Sequence, residues 1–461
     1  MPKLTKQLKQ PTNIRVSLYL SACLLACIFN FRVLQPLVFI GLVPLVFYVD
    51  NLRLFSDKQR RIDFYLFGGI ITCGANFFMM QISSTNWNVG IRGWFAVAAP
   101  IIAWLMISSF CALAWLALGE VLANPKVNRY RLVTLAPFYA LCEILKSYLF
   151  SAMAYAPHGS LSPNFNWGSL AVPASATNIL VLSPYVGFFG LSLVCVMLNI
   201  AIYVAIKKSS PGLFILLITT FLLSFWPMNL VTKTSKITTV NDKNVKVIGL
   251  EPDQTLANWD KQQIAKNIPE ESLDLIVLPE YSGILDNPNY KDILKHLSDE
   301  GIVVTSVHSA PAPTGQNNII FINKQGEIIN TQSKTFLIPT GETLPYSLQL
   351  VFKLMGRQDI ITSFTYTQQI SPGTKQEDFF EYAGTKYGAL ACSGVSALSQ
   401  YRRLSNQGAD VLVNSASLSF LQKNSTYHVY ADNMARFQAV SNKKPFIQAS
   451  RSGSSFILVP Q

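Results

Sequence analysis

Tyr387-Gly388-Ala389-Leu390-Ala391-Cys392, followed by Ser393-Gly394-Val395-Ser396, is an apolar run of strand length that ends on a thiol just before a helical pattern. Runs of the same texture recur at 245–250, 275–278, 302–307, 319–322, 411–413 and 445–448. Helical spacing fills several of the gaps, at 291–298, 396–406 and 429–441. Strands alternating with helices predict an α/β fold. The stretch 237–461 is long enough to bury a complete core of that kind.

Upstream the texture is different. Half of the 461 residues are hydrophobic and 13% are charged, against about 25% charged in an ordinary globular domain. Up to residue 236 there are 18 Lys/Arg and 5 Asp/Glu, and beyond it 19 and 20, so the net +12 divides into +13 and −1. Seven apolar runs, near 14–31, 34–49, 64–82, 94–122, 132–152, 176–206 and 211–230, approach the ~20 residues that a helix needs to cross a bilayer. The first carries a basic flank, but a second run follows at once without a cleavage pattern, so it is expected to be retained.

The basic residues alternate with these runs. Lys3, Lys6, Lys9 and Arg15; Arg53, Lys58, Arg60 and Arg61; Lys126, Arg129 and Arg131; and Lys207 with Lys208 fall in one set of connections, 13 in all. The other set holds only Arg32 and Arg92. Because short basic loops stay inside, the amino terminus is expected in the cytoplasm and 237–461 on the outer face. Scattered charge of this kind argues against nucleic acid as a partner, which requires a clustered basic face.

Six of the seven cysteines, Cys23, Cys27, Cys73, Cys111, Cys142 and Cys195, lie in the apolar runs, leaving Cys392 alone in the α/β half. A strand-end thiol facing a helix amino terminus is a candidate nucleophile, because the helix dipole lowers its pKa. Leu278-Pro279-Glu280 ends a buried run on a carboxylate that could serve as base, and Lys334-Thr-Phe-Leu-Ile-Pro-Thr-Gly-Glu342 supplies a cation and a second carboxylate. Each is ordinary alone. No Gly-x-Ser-x-Gly elbow is present, and His158, His296, His308 and His428 lack metal-ligand spacing, so neither a serine triad nor a metal is expected. Within the fifth run Glu143 and Lys146 share a helix face, either as a structural ion pair or as a polar lining near a lipid headgroup.

Glu280 in Leu-Pro-Glu, Lys334 eight residues before Glu342, and strand-end Cys392 resemble the Glu-Lys-Cys triad of the nitrilase superfamily. With seven runs ahead of them, the whole chain resembles the apolipoprotein N-acyltransferase family. Glu251-Pro252, Asn258-Trp259-Asp260, Gly187-Phe-Phe-Gly190-Leu-Ser192, Asn317, Asn414 and Met434-Ala435-Arg436 add to the likeness. The resemblance implies a polytopic helical membrane domain over 1–236 and a nitrilase-like αββα sandwich over 237–461. It implies a bacterial inner-membrane monomer without cofactor or metal. A phospholipid would donate an acyl chain through a Cys392 thioester to the amino group of a diacylglyceryl-cysteine lipoprotein.

In that scheme Glu280 is the base, Lys334 holds the oxyanion, and Glu342, Trp259, Asn317, Asn414, Glu143 and Lys146 support the site. A membrane-anchored amidase and a non-catalytic binding module are the alternatives. The chain departs from the pattern where an aromatic and a Glu follow the nucleophile, having Ser393 and Gly394, and where an acidic residue and Trp-Phe-Gly follow Asn414, having 415–419 as Ser-Ala-Ser-Leu-Ser. An Arg-Ala-x-Glu pattern is replaced by Gln438-Ala439-Val440-Ser441, and against the resembled family the sequence to Gln461 is expected to be short at its carboxy end, before the last strands and the eighth span usual there.

Overall fold

The computed structural model describes residues 10–82, 93–157, 159–208, 230–235, 237–268, 272–375, 377–422 and 425–461, which form two compact units. In the first, helices Pro11–Asn30, Asp57–Ala75, Leu113–Ala123, Arg131–Met153 and Ser183–Lys208 enclose one apolar core. Among the described residues five stretches are long and apolar enough to cross a membrane: Pro11–Asn30, Arg32–Asp50, Ala96–Ala123, Arg131–Met153 and Asn178–Lys208. The expected run 64–82 is instead a helix that starts at Asp57 on a Ser56/Gln59 capping box and ends at Ala75. Its first turns carry Arg60, Arg61 and Asp63, so it falls short of a wholly apolar span. The seventh run, 211–230, lies outside the described residues but for residue 230, as does His158.

The buried charges of Asp63, Glu143 and Lys146 each meet polar partners, as burial demands. Asp63, fully buried, accepts from Arg15, Tyr19 and Tyr48. Gly187, at φ 70° and ψ −174°, interrupts Ser183–Lys208 where a side chain would be strained, which accounts for the glycine in that motif. Glu143 and Lys146 do not pair directly, contrary to the mutual neutralisation expected from their spacing. Glu143 accepts from Leu170 N (2.8 Å), while Lys146 Nζ donates to Trp167 O (2.6 Å) and Ser169 Oγ (3.3 Å). Both side chains pin the same neighbouring turn to their helix.

The second unit is two six-stranded sheets. Its strands are β1 (Val231–Thr234), β2 (Thr238–Val240), β3 (Lys243–Val247), β4 (Leu273–Glu280), β5 (Leu297–His308), β6 (Asn317–Asn323), β7 (Ile328–Ser333), β8 (Phe380–Tyr382), β9 (Thr385–Ala391), β10 (Val411–Ser417), β11 (Phe446–Arg451) and β12 (Phe456–Pro460). One sheet runs β2-β3-β4-β5-β6-β7 and the other β1-β12-β11-β10-β9-β8. Each has a parallel centre, β3-β4-β5 and β9-β10-β11, flanked by antiparallel strands.

Val245, Leu275, Val277, Val304 and Phe321 of the first sheet pack on Ala389, Val411, Val413, Ile447 and Ile457 of the second. On the opposite face of the first sheet, Ile276, Leu278, Val303 and Ile320 meet Ile264 and Ile293 from helices Lys261–Asn267 and Tyr290–Leu294. Helix Leu398–Asn406 covers the second sheet through the Tyr401/Phe446 ring contact. This is the expected αββα sandwich. Three boundaries differ from expectation. The domain begins before 236, since β1 completes a sheet edge; 297–298 opens β5 and leaves only a five-residue helix before it; and 392–396 is a 3₁₀ turn with the α-helix starting at Leu398.

Candidate active site

Parallel strands carry their functional side chains at their carboxyl ends, where the backbone leaves the sheet and a crevice opens. Glu280 is the last residue of β4, and Cys392 follows the last residue of β9. Across the antiparallel β6/β7 edge, Asn317 opens β6 and Lys334 follows β7, with Lys334 N donating to Asn317 O (2.8 Å). The sandwich thereby brings Glu280, Asn317, Lys334, Cys392 and Asn414 into one buried cluster, with the partly exposed Glu342 beside it. Lys334 Nζ lies 2.8 Å from Glu342 Oε1 and 4.0 Å from Glu280 Oε1. Asn317 Nδ2 donates to Glu280, and Glu342 is held from behind by Ile338 N (2.8 Å).

Cys392, the candidate nucleophile, is held in a strained geometry. Cys392 has φ 46°, left-handed and unusual for a side-chain-bearing residue, at an expected cost of about 1–3 kcal/mol. The bend turns its thiol off the strand end, where the Glu280 carboxylate and the Lys334 ammonium act on it electrostatically. Asn414 Nδ2 reaches the Cys392 carbonyl (3.4 Å) and Gln448 Oε1 (3.1 Å), tying the bend to β10 and β11. The Ser417 backbone joins acid and thiol: its N–H donates to Glu280 Oε2 (3.0 Å), and its carbonyl accepts from Cys392 Sγ (3.5 Å). The departure at 415–419 thus leaves this link intact, because the main chain supplies it.

At Gly394 the structure gives a reason for the other departure. A Cβ there would stand 2.5 Å from the Leu390 Cβ, so this turn has no room for a side chain. Neighbouring Ser393 instead turns its hydroxyl to Phe336 O (2.8 Å), fastening the turn to the Lys334–Glu342 loop.

Electrostatics follow from burial and from two carboxylates sharing one cation. Burial pushes the Glu280 carboxyl above its ordinary range, and Lys334 opposes that shift. For Lys334 burial works against the charge, but Glu342 and Glu280 prevail and keep the ammonium protonated. Burial, with Glu280 adding to it, also pushes the Cys392 thiol up, overriding the lowering expected from a helix amino terminus. A five-residue 3₁₀ turn is too short to offset the loss of water. Burial therefore favours the neutral thiol.

Trp259 lies elsewhere, packed against the cluster of Ile248, Leu256 and Ile284. Glu143 and Lys146 belong to the helical unit. One supporting residue escaped the sequence: Glu377, 3% exposed, receives Thr335 N (2.8 Å) and Thr335 Oγ1 (2.7 Å) and so anchors the residue next to Lys334. Its short, polar surroundings have neither strand nor helix periodicity, and only the fold reveals its neighbour.

A carboxylate, a lysine and a cysteine thus meet at the strand ends of an αββα sandwich that follows a run of apolar helices in the sequence. The carbon-nitrogen hydrolase family model matches residues 249–461, and the apolipoprotein N-acyltransferase N-terminal domain model matches residues 21–201. Apolipoprotein N-acyltransferase of Rickettsia prowazekii is 23% identical over 477 residues, covering 95% of this chain and 87% of that one. The Rickettsia typhi protein of the same name is 23% identical, covering 78% and 71%. A carbon-nitrogen hydrolase structure from Helicobacter pylori aligns with 46% of this chain and 78% of its own at 16% identity and a TM-score of 0.31. The chain belongs to the apolipoprotein N-acyltransferase family.

Proposed function

We propose that this protein completes lipoprotein acylation by a two-step transfer through Cys392. The reading is carried by the convergence of Glu280, Lys334 and Cys392 in a chain whose first half matches the apolipoprotein N-acyltransferase N-terminal domain. Glu280 takes the thiol proton as Cys392 attacks a phospholipid ester carbonyl, and the ammonium of Lys334 meets the developing oxyanion. Collapse expels the lysophospholipid alkoxide, which recovers the proton from Glu280 and leaves an acyl thioester. The α-amino group of a diacylglyceryl-cysteine then attacks the thioester, gives its proton to Glu280, and releases the thiol as an amide forms. Lys334 serves the oxyanion of both steps.

An inner-membrane enzyme with this domain on the outer face would meet both lipid-anchored substrates without extracting either. The 13-to-2 distribution of basic residues supports that orientation. A reporter fused after residue 236 should be extracytoplasmic and one fused after Arg61 cytoplasmic; a cytoplasmic result for the first would refute the topology. With phospholipid vesicles and a diacylglyceryl-cysteine peptide, the purified full chain should convert the peptide to its N-acyl form. Release of free fatty acid with an unmodified peptide would instead establish a hydrolase.

A further inference from the structure

The parallel strands β9, β10 and β11 end on the same side of their sheet. Cys392 follows β9, Ser417 ends β10 and Arg451 ends β11, with Ser417 and Arg451 paired in register. Ile447 and Ala449 of β11 point into the core between the sheets, so Arg451, two residues further on, faces the same side. Neighbouring strands lie ~4.8 Å apart, which puts the ends of β9 and β11 about 10 Å from one another across β10.

The guanidinium at this strand end is half-buried and short of an anion. Arg451 Nη2 donates to the carbonyl of Tyr281, the residue after Glu280, and its Nε, shut off from solvent, meets no acceptor among the described residues. Glu280 acts on the guanidinium through its field, but the Glu280 oxygens are met by Asn317 Nδ2 and Ser417 N–H, with Lys334 the cation beside them at 4.0 Å. A charge withdrawn from water needs a partner, and a backbone carbonyl alone is a poor one. The mount is firm. Arg451 O accepts from Leu418 N (2.9 Å), and the Arg451 backbone bridges Leu250. Most of the five N–H donors of the guanidinium are thus held at the crevice unused.

We propose that Arg451 binds the phosphate of the acyl donor, holding a glycerophospholipid by its phosphodiester while an ester carbonyl reaches Cys392. The planar fork of a guanidinium matches two phosphate oxygens at once, which an ammonium does not. Phosphate and acyl esters stand on one glycerol unit, so an anion site two strands from the thiol suits such a molecule. The inference rests on the phospholipid-dependent transfer proposed above, and it adds the residue that tells a phospholipid from a neutral glyceride.

The test is protection of Cys392 from iodoacetamide in the full-length protein in detergent micelles. Two ether-linked lipids that cannot donate an acyl chain are compared: a dialkyl phosphatidylethanolamine and the matching dialkylglycerol, which lacks the phosphate. Protection is a ratio within each variant, so a change in the reactivity of the thiol itself cancels. Wild-type protein should be half-protected by the phospholipid at a concentration about 10- to 100-fold lower than by the dialkylglycerol, the scale of hydrogen bonds to a charged group. Arg451→Met should bring the two concentrations together by raising the first. Arg451→Lys keeps the charge without the fork and should retain part of the difference; it carries the test alone if Arg451→Met is not recovered folded, as judged by melting temperature.

Equal protection of the wild type by both lipids, or an unchanged difference in the variants, would overturn the proposal. Protection by inorganic phosphate alone, with no gain from the lipid, would place a free anion at Arg451 and overturn it as well. A wild type that discriminates as expected yet forms no thioester from an ester-linked phospholipid would overturn the proposed function and leave this assignment standing.

Discussion

Cys392→Ala should abolish both thioester formation and acyl transfer, a loss of about 10⁴-fold or more, as expected when a covalent nucleophile is removed. Cys392→Ser should fare little better, since a hydroxyl is far harder for Glu280 to deprotonate than a thiol. Replacing Cys23, Cys111 or Cys195 with Ala should leave activity largely intact. Cys111 and Cys195 are buried in the helical core and Cys23 is exposed on the first helix, where each is a small apolar side chain. The assay follows radiolabelled acyl chain from vesicle to peptide. Undiminished transfer by Cys392→Ala would remove the nucleophile assignment.

Glu280→Gln and Lys334→Met should separate the two halves of the chemistry. Since burial holds the thiol neutral, an amide at 280 leaves nothing to take its proton, and acylation should fall about 10²–10⁴-fold. Alkylation of Cys392 by a small electrophile should slow as well, because it needs the same deprotonation. Lys334→Met removes the charge facing the oxyanion, for an expected loss of about 10²–10³-fold in acylation. Alkylation forms no oxyanion, so it should slow less. Some slowing is expected in any case, because without Lys334 the Glu280 and Glu342 carboxylates repel unopposed and the local field on the thiol changes. The decisive quantity is therefore the ratio between the two reactions. Equal losses in both for Lys334→Met would show that the lysine only tunes the thiol.

The central strands were legible because burial on both faces makes them continuous apolar runs: β4, β5, β6, β9 and β10 contain the stretch expected for them, and β11 overlaps its own from Phe446. The edges were not. β1, β2, β7 and β8 are short or polar, as unpaired margins usually are, and read as loop. Helices Tyr346–Leu354 and Gln358–Thr367 were also missed, because only two and three of their residues are buried.

The three candidate residues stand out in the sequence because each ends or follows a strand with a distinctive neighbour. What the sequence hides is backbone. The Ser417 main chain that links base to thiol and the left-handed turns at Tyr281 and Cys392 have no signature in side-chain identity. The Glu143/Lys146 pair shows the opposite error, for correct helical spacing implied a direct contact that a neighbouring turn intercepts.

The most direct test of the account is mass spectrometry of the intact protein after incubation with phospholipid and without acceptor. It predicts one added acyl chain, mapped to the peptide bearing Cys392, released by hydroxylamine at neutral pH, and transferred to a diacylglyceryl-cysteine peptide when that is supplied. An active protein carrying no such adduct, or carrying it on any residue other than Cys392, would contradict it.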